Sequence, residues 1–122
     1  MVKGSFDLTG KEAVYLSNVQ RYLSGLYLLE LYRNPPTGFP TLEELAAMVA
    51  KFKELYEAAI NFDRLQIKRR NEVRKALTVM FKKVGHYLQT VAEEEDTVAL
   101  LQIGFNVHAP RKRNQVVVQT AQ

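Results

Sequence analysis

Apolar residues recur at steps of three and four along three long stretches of this chain. The first stretch runs Tyr15, Val19, Tyr22, Leu26 and Leu29, with Leu16, Leu23, Tyr27 and Leu31 in a second band beside it. Such spacing puts side chains on one helical face, so it predicts a helix over 10–32 that is apolar around more than a third of its circumference. Gly25 inside it marks close packing against a neighbour. The second stretch, Leu42, Leu45, Val49, Phe52, Tyr56 and Ala59, predicts a helix over 42–61. The third, Val73, Leu77, Met80, Val84, Tyr87, Leu88 and Val91, predicts the longest helix, over 64–93. A short fourth helix over 97–103 turns Val98, Leu100 and Leu101 inward and ends at Gly104, where a left-handed residue closes helices.

Each long stretch opens on a start signal. Thr9-Gly10-Lys11-Glu12, Thr41-Leu42-Glu43-Glu44 and Asp63-Arg64-Leu65-Gln66 place an oxygen-bearing side chain three residues before Glu or Gln. The first side chain can accept from a free N–H of the opening turn, and the Glu or Gln can reach back. Asp96 stands ready to cap the fourth helix.

Breaks between the stretches are equally explicit. Asn34-Pro35-Pro36-Thr37-Gly38-Phe39-Pro40 ends the first helix, because paired prolines withhold donors and force extended geometry. Phe39 is placed to cover the end of the core. Asn61-Phe62-Asp63 reads as a tight turn rather than the middle of one continuous helix. Residues 1–8 read as a loose leader. Phe105-Asn106-Val107 reads as extended, with Phe105 tucked under the helices, and 108–122 as a basic, β-prone tail, extended or disordered. The expected fold class is all-α: a four-helix bundle spanning 9–107 as one domain.

Composition agrees with a globular chain: 122 residues, 47% apolar and 25% charged, enough for a single core. The absence of cysteine excludes disulfides and thiolate chemistry. No apolar run approaches bilayer length and no signal-peptide core follows Lys3, so a cytoplasmic protein without membrane association is expected.

The net charge of +4 is unevenly spread. Between Arg64 and Lys83 eight basic residues face one acid, Glu72, and Glu93-Glu94-Glu95-Asp96 follow. Arg69, Arg70, Arg74, Lys75, Lys82 and Lys83 are therefore candidates for polyanion binding. The competing reading pairs Arg70 with a carboxylate of the same bundle, such as Glu30, Glu54 or Glu57. Tyr15, Tyr22, Tyr27 and Leu31 on the first helix are the candidates for self-association, tyrosine being suited to interfaces by its apolar ring and hydrated hydroxyl.

Catalytic and metal signals are thin. His86 on the third helix and His108 in the tail have no partner at metal-ligand spacing, and His86 reads as a surface or part-buried histidine. Glu43-Glu44 and the 93–96 acids flank helix ends, where anions favour the next helix's dipole. The six glycines form no phosphate cradle, and no nucleophile sits in an elbow motif. No catalytic residue, cofactor, metal or small-molecule substrate is expected.

The break at 34–40, Arg70-x-x-x-Arg74-x-x-Leu77, Tyr87 late in its helix, and Glu95-Asp96 to Gly104-Phe105 before a Pro-Arg tail carry a resemblance. Together, over Asn34 to Asn114, they resemble the small helical domain of uncharacterised bacterial proteins often found upstream of a fibronectin type III module. The resemblance implies a helical bundle without assigned activity, a spacer or docking domain. After Pro110 twelve residues remain, fewer than a fibronectin module needs, so the bundle is expected to stand alone. The function expected is a non-catalytic structural or protein-interaction module that self-associates as a homodimer or binds another protein. Nucleic-acid binding through the basic face is the alternative.

Overall fold

Thr41 opens the second helix just as its neighbours dictate. In the computed structural model, which describes residues 2–61 and 63–108, its hydroxyl accepts from Glu44 N at 3.1 Å while the Glu44 carboxylate accepts from Thr41 N at 2.9 Å. Asp63 caps the third helix in the same spirit, accepting from the N–H groups of Leu65 and Gln66. The chain runs β1 (Gly4–Ser5), α1 (Glu12–Leu28), α2 (Leu42–Ala58), α3 (Arg64–Val91), α4 (Thr97–Gln102) and β2 (Asn106–Val107). Single 3-10 turns follow α1 and α2 and precede α4. The fold is an all-α four-helix bundle, and α2 packs against both α1 and α3.

The predicted stripes are the core. Tyr15, Val19, Tyr22, Leu26 and Leu29 of the first stretch are buried, as are Leu45, Val49 and Phe52 on α2 and Val73, Leu77, Val84 and Leu88 on α3. Phe81, outside the predicted stripe, is fully buried among them. Gly25 sits where Ile103 crosses α1: a Cβ there would lie 2.6 Å from Ile103 Cγ2 and 2.8 Å from its Cα. Phe39 tilts against Tyr87 at 5.2 Å between ring centroids and covers that end of the core.

Four local expectations give way to tertiary demands. Thr9 does not cap α1, because its hydroxyl and N–H both turn back to Asp7 Oδ1, and Lys11 occupies the cap position without a side-chain bond. The first helix stops at Leu28 instead of running to 32; a 3-10 turn over Glu30–Tyr32 swings Tyr32 inward, where its hydroxyl donates to Pro40 O at 2.6 Å. Asp96 serves the 3-10 turn before α4, accepting from Glu93 N, rather than capping α4 itself. In α4, Leu100 is buried while Val98 and Leu101 are exposed, since a six-residue helix can turn one edge to the core and Leu100 with Ile103 fills it.

Residues 2–8 are not a loose leader. Gly4 and Ser5 pair antiparallel with Val107 and Asn106, and His108 N donates to Lys3 O. Val2 and Phe6 are buried, and the Phe6 ring lies 4.7 Å from Tyr22, 5.0 Å from Phe105 and 5.5 Å from Phe81. The strand β2 is aimed by the end of α4. Gly104, at φ +96°, lets Phe105 N reach Leu100 O and its own N reach Leu101 O, the paired bonds of a Schellman closure. The β-prone run Gln115–Gln119 and the basic cluster Arg111-Lys112-Arg113 lie outside the described residues.

Candidate functional site

The six basic candidates of α3 divide into two sets with different surroundings. Arg70 and Arg74 lie on the flank that meets α1. Arg74 Nη1 donates to Glu12 Oε2 at 2.7 Å, its Nη2 donates to Gly10 O at 2.7 Å, and its guanidinium stands 4.2 Å over the Tyr15 ring. Arg70 lies 3.7 Å from the same Glu12 carboxylate and donates to Asn71 Oδ1. Both are bound within the bundle, to Glu12 rather than to Glu30, Glu54 or Glu57. The two cations share this one carboxylate, so their charge is answered in part inside the bundle.

Arg69, Lys75, Lys82 and Lys83 are exposed, and Lys68 joins them. Lys68, Lys75 and Lys82 recur every seven residues, about 10 Å apart along one side of the helix. Lys83 flanks that line, and Glu72 stands within it. Among the described residues the ion pairs are the two on Glu12, so no lysine of this line is held by a carboxylate within 4 Å. The line faces water as a track of positive charge.

At its Lys82 end the track runs into a groove of about 510 Å³ between the β1 segment and α3. Lys82 and His86, one turn apart on α3, stand on one wall, with Ser5 and Thr9 contributed by the N-terminal segment. Gln89 closes one end, its Oε1 accepting from Gly4 N at 3.3 Å, and Phe6 lies beneath. His86 is exposed; its backbone carbonyl accepts from Thr90. Reading residues 1–8 as a leader hides this groove, because one of its walls is the 4–9 segment. The signal was present in Val2, Phe6 and Leu8, which alternate with Lys3, Ser5 and Asp7 at the period of a strand.

The self-association candidates are dispersed. Tyr15 and Tyr22 are buried, and each hydroxyl is occupied: Tyr15 by Thr78 and by Arg74 O, Tyr22 by Asp7 O. Burial pushes both phenols above the ordinary tyrosine value. Tyr27 is exposed and Leu31 half-buried. The helix had more apolar surface than a surface helix needs because it packs on α2, on Ile103 and on Phe6 at once. Leu28, 84% exposed, was not singled out by its spacing.

Among the described residues no group of three His, Asp or Glu side chains is placed to hold a metal ion. His108 is exposed, and its backbone joins the strand pair. No helix among the described residues is long and apolar enough to cross a membrane. Comparison with known proteins finds no matching family model, no matching curated protein and no matching solved structure.

Proposed function

We propose that this chain is a non-catalytic binding module that engages a nucleic acid or similar polyanion through the exposed face of α3. One observation carries the reading: Lys68, Lys75 and Lys82 share a side of the helix, with Lys83 beside them and without a carboxylate partner. Positive charge left unpaired in this way gains most from phosphates, by releasing their condensed counterions. The contact reads backbone charge and is indifferent to sequence. A cytoplasmic setting fits a cysteine-free chain whose partner is nucleic acid.

Titration of a labelled oligonucleotide at several salt concentrations tests the proposal. Affinity is expected to fall steeply between about 50 and 200 mM salt, and the triple variant K68Q/K75Q/K82Q to flatten that dependence. Absence of binding at low salt defeats it.

A second reading, self-association, draws on Tyr27 and Leu28, adjacent exposed residues at the end of α1. A second copy of the chain, presenting the same pair, would cover them isologously. Light scattering across a concentration series checks this: a mass that stays monomeric defeats it, and L28K is expected to abolish any dimer.

A further inference from the structure

Resting on the polyanion reading, we infer that the groove beside Lys82 takes one unstacked nucleotide of a single strand. Its phosphate sits between Lys82 and His86, and its base reaches in against Leu8.

Three observations converge on this occupant. Lys82 belongs both to the lysine track and to the groove wall, so a strand following the track is led to the opening. His86 lies four residues on, and side chains at that spacing are neighbours on a helix surface, close enough to share one phosphate. The volume of about 510 Å³ falls in the range of small-molecule sites, which join an apolar body to a few placed polar groups. Here the apolar surface is Leu8 with the edge of the buried Phe6, and the polar groups are Ser5, Thr9 and the Gln89 amide. Gln89 spends its oxygen on Gly4 N, which leaves its NH₂ to donate to a base edge.

The same geometry excludes a paired base. In a duplex each base is stacked and turned to its complement, so no whole base can enter a groove of this shape. A single strand can present base and phosphate together. The lysine track serves both forms, and the groove serves one.

Fluorescence anisotropy with a labelled thymidine 15-mer and a duplex of equal length separates the two levels of the reading. Wild-type protein is expected to bind the single strand about tenfold more tightly than the duplex. His86→Ala, an exposed substitution, should weaken single-strand binding more than duplex binding and so remove most of that preference. K68Q/K75Q should weaken both forms alike. Equal affinity for the two forms, or a His86→Ala protein that keeps the preference, overturns the groove assignment and leaves the lysine track standing. No binding to either overturns both.

Discussion

Arg74 stacks its guanidinium 4.2 Å above the ring of Tyr15. The same guanidinium forks to Glu12 and Gly10, so a single side chain on α3 fastens the entry of α1. The Tyr15 hydroxyl returns a bond to Arg74's own carbonyl. Hydrogen bonds to charged groups contribute about 1.5–3 kcal/mol, and the stacked cation adds to them.

Arg74→Ala is therefore expected to lower stability by about 2 kcal/mol, read from the urea midpoint. Arg74→Lys should recover less than half, because an ammonium cannot fork between Glu12 and Gly10. Neither substitution should change the salt dependence of oligonucleotide binding. A flattened salt dependence in Arg74→Ala would return this residue to the external surface.

Phe6→Ala removes a ring that touches Tyr22, Phe81 and Phe105. The expected loss is about 3–5 kcal/mol, the range for a buried aromatic cut to a methyl. Deleting residues 2–8 should do at least as much harm. A truncated chain as stable as the whole one, by thermal or urea unfolding, would contradict the packing of this segment.

Gly25→Ala sets two effects against each other. Alanine gains about 1 kcal/mol of helix propensity over glycine. Against that, the new methyl meets Ile103 at 2.6 Å from Cγ2 and 2.8 Å from the backbone Cα. Overpacking costs about 1–3 kcal/mol, so a net loss is expected in equilibrium unfolding. A stabilised variant would show that the 103–105 segment shifts freely.

Alkaline pH offers a test of the buried phenols. Burial raises the ionisation of Tyr15, Tyr22 and Tyr32 above the ordinary tyrosine value, in Tyr32 most of all. Their folded-state values exceed the unfolded ones, so their stabilising contribution is complete below about pH 10 and declines as pH climbs above it. Urea midpoints measured from about pH 9 to 11.5 should fall, and Tyr32→Phe should fall less steeply, having one proton fewer to lose on unfolding. Parallel slopes in the two proteins would refute the burial of that hydroxyl. At neutral pH the same variant should be weaker by about 1 kcal/mol, for the lost bond to Pro40.

The sequence disclosed what is decided within one helical turn or one helical face. Thr41 caps as read with Glu44 reaching back, and Asp63 caps without the return bond from Gln66, because the partners are two or three residues away. The stripes on α2 and α3 bury as read because period alone selects the inward side. Thr9 misled because an equally local rival, Asp7, lay just upstream. Glu12 could not be named as the carboxylate for Arg70 and Arg74, since a pairing across some sixty positions depends on how α1 is laid against α3. Composition marks the basic candidates, but separating Arg70 and Arg74, paired to Glu12, from the exposed Arg69, Lys75, Lys82 and Lys83 needed that contact. The groove needed residues 4–5 to pair with 106–107, a contact across about a hundred positions that no local pattern fixes.

The antiparallel pairing of Gly4 with Val107 makes the polypeptide enter and leave the bundle side by side. A pull applied at these two points loads the strand pair from one end, so its bonds open one after another, like a zipper, instead of resisting together. Phe6 and Phe105, each only one or two positions inside that pair, would be the first core rings drawn into water. Mechanical yielding is thus set by two residue pairs, and the three long helices part only after that latch has opened.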